Sequence, residues 1–349
     1  MSPPGVHPGH RTLDVVPTRR ATPRLATGLT AGIALAVVLL TLRVVSPQTP
    51  SEGVPEQVRD FFTLSISVLV ESLPFVFLGV ILSIAVRIFV PETLFTRLLP
   101  THPVARRAVM SLLGVLLPVC ECGNVPLARG LLLKGLSVSE AMTFLLAAPI
   151  LNPVTIITTY QAFGWDNGIL AGRIIGGFVI ANLIGWLFSL HPRQEQLLTP
   201  RFEAACRMDH DHPETGARMR RSVLAFAEET STMLPALVVG SAIAGAIQVG
   251  VSRETLATLG GNPVLSVLAL MALAFIIAIC SNVDAFFILS FGSTFLPGSI
   301  VAFLVFGAMV DVKMLALLRT TFTASALLRV TATVGLCCLV LGLGVNLLA

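Results

Sequence analysis

Long apolar runs separated by short polar segments dominate the pattern of the chain. A first run covers residues 25–42. Eight more follow at about 61–86, 108–133, 137–160, 168–190, 223–251, 263–296, 298–318 and 324–348. A helix that crosses the hydrocarbon core of a bilayer needs about 20 apolar residues, and each of these eight runs reaches that length. The pattern therefore predicts an all-α polytopic membrane protein.

The polar segments divide the chain into five parts. Residues 1–24 are rich in Pro and Arg and are predicted to be a disordered cytoplasmic tail. Residues 25–45 lack a clear cleavage site and are predicted to be an uncleaved N-terminal transmembrane helix. A long polar stretch at 191–222, predicted to be a cytoplasmic loop, separates two halves of similar length, 61–190 and 223–349. Two halves of similar length suggest a structural repeat.

Composition narrows the class of protein further. Hydrophobic residues make up 54% of the chain and charged residues 12%, with a mean hydropathy of +0.87. A soluble domain carries about 25% charged residues, so an ordinary soluble enzyme is excluded, as is a disordered chain. The net charge of +4 gives no reason to expect a nucleic-acid partner. The sequence has no P-loop, dinucleotide fingerprint or HExxH zinc motif, and we expect no cofactor and no enzymatic activity.

Landmark residues recur in the same order in both halves. Each half begins with a predicted helix that contains a proline, and a cysteine stands in a polar interruption 46 or 45 residues later: Pro74 and Cys120, then Pro235 and Cys280. A polar residue follows after a further 32 or 31 residues, Asn152 in the first half and Asp311 in the second. Weak internal symmetry of this kind is typical of secondary transporters.

The distribution of arginines predicts that the two repeats are inverted. Four arginines place the N-terminal tail in the cytoplasm by the positive-inside rule. If every apolar run spanned the membrane, the loop 191–222, with six arginines, would lie outside. The loop lies inside if the run 108–133 enters and leaves on one face. Each half then has three spans and one re-entrant or broken helix hairpin, and an odd number of spans inverts the second half.

The two polar interruptions are the candidate substrate site. Two prolines and a glycine break the helix in PVCECGNVP, and non-helical backbone at membrane depth is tolerated only inside protein or beside a wet cavity. The first interruption supplies Cys120, Glu121, Cys122, Gly123 and Asn124, and the second supplies Cys280, Asn282 and Asp284. Thiolates bind soft ions, so Cys120, Cys122 and Cys280 are candidate ligands for a metal or a trivalent metalloid. The alternative is that they pack as small hydrophobes.

Acidic side chains within the apolar runs are a second group of candidates, because a charge at mid-membrane is costly and usually functional. The group comprises Glu71, Glu121, Asp284 and Asp311. Glu71 and Asp311 are candidates for proton coupling. The alternative is a structural ion pair with Arg129, Lys134 or Lys313, and the sequence does not choose between them.

Asn152 and Pro153 are predicted to begin a half-helix. Proline suits the first helical turn, and asparagine caps it. The N-terminus of such a half-helix favours a polar or anionic ligand, so both residues are candidates for substrate binding. Asn262 and Pro263 repeat the dipeptide, as in an aquaporin-like channel. The repeat alignment pairs Asn152 with Asp311 instead and disfavours that interpretation.

Four segments carry a resemblance to a known family: PVCECGNVPLARGLLLKG, AAPILNPVTIITTY, CSNVDAFF and FGAMVDVKM. They resemble the bacterial predicted-permease family that contains the YraQ-type permeases and the ArsP-type exporters of trivalent methylated arsenicals. The resemblance covers about residues 61–347 and implies a permease of the bacterial plasma membrane, in which Cys120, Cys122 and Cys280 match cysteines implicated in handling the metalloid. Glu121, between two cysteines, is closer to a subgroup thought to work with a small second membrane protein.

The sequence thus predicts a secondary transporter that moves a small, soft or thiol-reactive solute, such as a trivalent organoarsenical, by efflux. Its expected partners are the lipid bilayer, the solute and a second small membrane subunit. Two alternatives stay open. The chain could be a non-transporting membrane subunit of a two-component permease complex, or an intramembrane thiol redox protein that uses Cys120 and Cys122.

Overall fold

The computed structural model describes residues 41, 55–90, 99–117, 119–165, 167–209, 218–250, 262–292 and 294–348. The predicted tail 1–24 and nearly all of the predicted helix 25–45 lie outside these residues. The described chain is helical, with an isolated antiparallel bridge between Leu198 and Phe322. Five of its helices are long and apolar enough to cross a membrane. The prediction of an all-α polytopic membrane protein is confirmed.

Six helices form the first half of the fold. They are α1 (Glu56–Phe89), α2 (Pro103–Leu116), α3 (Glu121–Leu133), α4 (Val138–Ala147), α5 (Pro153–Phe163) and α6 (Ile169–Ser189). A short 3-10 helix, Gln194–Leu197, and helix α7 (Pro200–Asp209) follow. The predicted loop 191–222 is therefore partly helical, and Thr199 and Thr323 fix it to the second half through backbone hydrogen bonds of 2.8 and 2.9 Å to Thr321 and Leu197.

The second half has the same order of elements. They are α8 (Arg218–Gly250), α9 (Pro263–Ile277), α10 (Asp284–Leu289), α11 (Pro297–Met309), α12 (Val312–Leu318) and α13 (Ala324–Leu348). The first helix of each half is long and contains one proline, Pro74 in α1 and Pro235 in α8. Helices α2 and α3 flank the polar interruption at Cys120, and α9 and α10 flank the one at Cys280; we call these two pairs the first and second hairpin.

Each hairpin is held at its open end by a polar contact to the helix that follows it. Arg106, at the start of α2, pairs with Glu140, at the start of α4, at 2.5 Å. Ser266, at the start of α9, bonds Ser299, at the start of α11, at 2.8 Å. The start of each hairpin therefore lies beside the start of the helix that follows it.

Each hairpin is followed by a pair of half-helices in line. The side chain of Asn152 accepts a hydrogen bond from the backbone N–H of Val154 at 2.9 Å and caps α5. Asp311 caps α12 in the same way, from Met314 at 2.6 Å. The predicted cap at Asn152 is present, and Asp311 also caps the helix that follows it. A side-chain cap satisfies a backbone donor that the helix start leaves free.

Close backbone packing positions the first hairpin against α1. A Cβ atom on Gly79 would collide with the backbone of Gly123, which follows the cysteines. A Cβ on Gly130, one turn from the end of α3, would collide with Ser83. Helices α1 and α3 therefore run side by side in the same direction. Helix α1 also packs along α8, which brings the two halves together around the helix breaks.

Candidate functional site

The two helix breaks adopt the same local turn. We call residues 119–124 the first break and residues 278–284 the second break. The carbonyl of Cys120 accepts from the N–H groups of Gly123 and Asn124 at 3.0 and 3.1 Å. The carbonyl of Cys280 accepts from Val283 and Asp284 at the same two distances. Each cysteine therefore stands at the start of a short helix, at equivalent positions.

Equivalent residues of the two breaks meet inside the protein. The Sγ atoms of Cys120 and Cys280 and a carboxylate oxygen of Glu121 lie within 4.8 Å of one another. The Cys120 thiol also interacts with the thiol of Cys122. Cys120, Glu121 and Cys122 are each 1% exposed and Cys280 is 4% exposed. The structure thus brings together the three cysteines that the sequence singles out, in a thiol cluster that could hold a soft ion.

Glu121 belongs to this cluster, and within the described part of the chain its carboxylate bonds residues of the second half. One carboxylate oxygen accepts from the Ser281 hydroxyl at 3.0 Å and from its backbone N–H at 3.4 Å, with the Cys280 thiol 4.0 Å away. The other oxygen faces Lys313 Nζ at 3.5 Å. Buried charges are stable only when they are paired and hydrogen-bonded, and Glu121 meets that condition.

Lys313 supplies the positive charge of the site. It is 1% exposed and donates to the carbonyl of Ala278 at 3.1 Å as well as to Glu121. Ala278 has φ of 52°, a left-handed conformation that is uncommon for alanine. Strained backbone of this kind persists where the surrounding contacts hold it, often at functional sites. The lysine thereby links the second break to the carboxylate of the first.

Two asparagines hold the first break together. Asn124 and Asn152 both donate to the carbonyl of Val119, at 3.3 and 3.4 Å. They tie the start of α3 to the start of α5, although 28 residues separate them in the sequence. Pro153 follows Asn152 in the first turn of α5. These residues shape the backbone beside the thiols, and in the described part of the chain the Oδ1 atom of Asn124 has no hydrogen-bond partner.

The acidic candidates have different environments. Asp284 forms a two-pronged ion pair with Arg173 at 2.6 and 2.9 Å, and Asn282 accepts from Thr155 at 3.2 Å. Both therefore bond to the first half rather than to the thiols. Asp311 is fully buried; one oxygen caps α12 and the other has no hydrogen-bond partner among the residues that the structure describes. That free oxygen is available to a ligand or a proton.

Glu71 lies midway along α1, as expected, but it is exposed and not buried in protein. Its carboxylate faces the backbone N–H of Cys280 and the charge of Lys313. Helix α1 packs against α3 beside the thiol cluster, and the exposed surface of Glu71 lies on its outer side. Glu71 thus stands at the edge of the site and not in its interior.

Sequence reasoning missed the basic half of the site. The sequence predicted Lys313 only as an alternative ion-pair partner for the acids. It predicted no role for Arg173 or for Ser281, which bonds Glu121. A charged side chain within the membrane is usually functional, whether it is acidic or basic. The single lysine in FGAMVDVKML could therefore have been predicted as a site residue. The serine carries no such signal, because its role depends on which residue faces it.

Comparison with known proteins agrees with this geometry. A family described as predicted permeases matches residues 57–347. The chain belongs to this family. The match covers both halves of the fold and both helix breaks, so the protein is a multi-pass membrane permease. No solved structure matches the chain significantly.

Relatives extend the same assignment. YcgR of Bacillus subtilis is 38% identical over 274 residues, 74% of this chain and 88% of its own length. A Streptococcus mutans protein named as a putative two-component membrane permease complex subunit is 30% identical over 296 residues, 82% of this chain and 97% of its own length. YraQ of Escherichia coli is 31% identical over 143 residues, 40% of this chain and 38% of its own length.

Proposed function

We propose that this permease is a secondary transporter that binds a small, soft, thiol-reactive solute at the thiol cluster and exports it across the bacterial plasma membrane. A trivalent organoarsenical is the favoured class of solute. The observation that carries the proposal is the convergence of Cys120, Cys280 and Glu121 in one buried group, with the Cys122 thiol next to that of Cys120. Sulfur ligands select soft ions, and a trivalent centre would take the sulfurs of Cys120 and Cys280 with Cys122 as the third.

Proton exchange supplies a route to energy coupling. A thiol binds a metal or metalloid as thiolate and must release its proton first. Glu121 lies within 4.0 Å of the Cys280 thiol, and the unpaired oxygen of Asp311 and the exposed carboxylate of Glu71 are the further acceptors. When a trivalent organoarsenical binds, each As–S bond would form as one hydroxyl leaves the arsenic as water together with the thiol proton, and these carboxylates would relay that proton from sulfur to the departing oxygen. Protons that the carboxylates themselves take up or lose would then couple transport to the gradient.

The proposed membrane topology is an inverted repeat with re-entrant hairpins. Three observations support it. The two halves have the same order of elements, each hairpin is tied at its open end to the helix that follows, and equivalent residues of the two breaks meet, Cys120 with Cys280 and Glu121 with Ser281. The arginine-rich segment 191–222 would then face the cytoplasm, as would the N-terminus.

A second candidate function is that of one subunit in a two-component permease. The name of the Streptococcus mutans relative, which this chain matches over nearly the whole of that protein, favours it. In that case the chain would hold the solute pathway but would transport only with its partner present.

The test is methylarsenite accumulation in arsenic-sensitive bacteria that express the chain. We expect lower accumulation than in cells without it, and expect the Cys120→Ser, Cys122→Ser variant to abolish the difference. The matched control is Cys337→Ser, Cys338→Ser, an adjacent pair in α13 outside the thiol cluster. Unchanged accumulation with membrane-inserted protein would reject the solute class. Co-expression with a small membrane protein encoded beside this chain would then distinguish two explanations. Restored export would show that a subunit was missing, and unchanged accumulation would indicate a different solute.

A further inference from the structure

Two buried arginines connect the halves of the protein at some distance from each other. Arg129, in α3, pairs with Glu229 of α8 at 2.5 and 3.5 Å and donates to the Thr321 hydroxyl at 2.9 Å. Its guanidinium lies 4.3 Å from the centre of the Phe202 ring. Arg129 and Glu229 are each 7% exposed. We call this group the first clamp.

The second clamp has the same construction. Arg173, in α6, pairs with Asp284 of α10 at 2.6 and 2.9 Å, and donates to the hydroxyl of Thr159 at 2.8 Å. It also approaches the carbonyl of Ser281 at 3.4 Å. Arg173 is 1% exposed and Asp284 is 4% exposed. In both clamps the arginine comes from the first half and the acid from the second, with a threonine hydroxyl as an additional acceptor.

The clamps lie on opposite sides of the thiol cluster. Helix α3 runs from the first break toward the turn 134–137, and α4 returns from that turn toward Asn152. Along α6, Gly185 packs on α4, whereas Arg173, three turns earlier, bonds Thr159 of α5. Helix α5 therefore continues in the direction of α4 and leads away from the turn. Arg129, on α3, therefore lies toward the face with residues 134–137, 194–199 and 320–323, the loop face. Thr159, on α5, lies toward the opposite face, the far face.

We propose that the two clamps are the gates of the transport pathway, one closing the cluster from the loop face and one from the far face. This proposal rests on the proposed function, since it assigns a regulation to the same thiol cluster. In this structure both clamps are formed and the cluster cysteines are at most 4% exposed, so the state described is closed on both sides.

An ion pair is physically suited to this task. Each clamp joins one half to the other, so any rocking of the halves must break one of them. The attraction within a buried ion pair is largely offset by the lost hydration of both charges. When a gate opens and water enters, that hydration is recovered, so a charged contact opens at a lower net cost than an apolar wall of similar area.

The test is labelling of the cluster thiols by a membrane-impermeant maleimide in sealed vesicles of both orientations. The background variant has serine at Cys206, Cys337 and Cys338, so that only the cluster reacts. We expect Arg129→Ala to raise the labelling rate about tenfold from the loop face, a shift of about 1.4 kcal/mol, with no change from the far face. Arg173→Ala is expected to give the reverse.

Arg106→Ala is the matched control. Its ion pair with Glu140 is also 2.5 Å long but lies within the first half, so its loss should leave both labelling rates unchanged. The swap Arg129→Glu with Glu229→Arg should return labelling to the background rate, which separates loss of the pair from general damage. If Arg129→Ala does not insert, Glu229→Gln breaks the same pair with less loss of packing.

Equal labelling from both faces in either variant, or no increase in both inserted variants, would overturn the proposal. The readout needs no knowledge of the solute. If the arsenical assay is negative but labelling increases from one face, the proposed solute is rejected and the gates are kept. If the arsenical assay is positive but labelling does not become one-sided, the gates alone are rejected.

Discussion

The first and second breaks share one backbone turn but differ in chemistry. In each, the cysteine carbonyl accepts from the residues three and four positions later. The residue after the cysteine is an acid in the first break, Glu121, and an alcohol in the second, Ser281, and these two bond each other at 3.0 Å. The shared turn therefore positions the cysteines in the same way, whereas the side chains that follow them decide which half carries the negative charge.

The same difference appears at the half-helix junctions. Asn152 and Asp311 are equivalent caps, but only the second is acidic, and only the second is followed two residues later by a lysine, Lys313. The first half has Val154 at that position. The first half thus supplies two of the three thiols, and the second half supplies the cation that balances Glu121.

The largest expected effect comes from removing that cation. Lys313→Met leaves Glu121 buried without its charged partner, and we expect the free energy of unfolding to fall by about 3–5 kcal/mol. The measurement is the decrease in the thermal unfolding midpoint of the detergent-purified protein. The double variant Lys313→Met, Glu121→Gln should recover most of the loss. Val154→Met, at the equivalent site of the first half, should cost little because Val154 is 40% exposed. A stable single variant would contradict the charge pairing.

An intermediate effect is expected at the backbone turns. A Cβ on Gly123 would approach the Phe75 carbonyl to 2.5 Å, so Gly123→Ala should destabilise the protein by about 1–3 kcal/mol through overpacking. Val283 occupies the equivalent position in the second break and is 46% exposed. Val283→Ala should therefore change stability by no more than about 0.5 kcal/mol. Equal losses in both variants would show that the two turns are equally confined.

The smallest effect on stability is expected at the caps. Asp311→Asn keeps an oxygen for the N–H of Met314 and should cost less than about 1 kcal/mol, within the range for a cap. Its effect on function should be larger, because it removes a proton acceptor: transport should lose its dependence on the proton gradient. The matched variant is Glu71→Gln. If transport by Asp311→Asn still depends on the proton gradient, proton coupling would be assigned to Glu71 instead.

Sequence reasoning recovered the parts of the site that depend on local pattern. The cysteine pair beside Glu121 was visible because prolines and a glycine interrupt an apolar run, and the cap at Asn152 followed from the proline after it. The ion-pair partners were not recovered. Asp284 pairs with Arg173, 111 residues away, and Glu121 with Lys313, 192 residues away, and no local pattern specifies such a partner.

By itself, therefore, the sequence determined the class of the protein and the residue types at its two breaks. Hydropathy and helix-breaking residues act within one or two turns, so they can be read locally. Only the tertiary structure decided that the breaks meet, that Glu71 stays exposed at their edge, and that arginines join the halves on both sides. Those outcomes depend on how helices from distant parts of the chain pack, because burial and charge pairing are properties of the assembled interior.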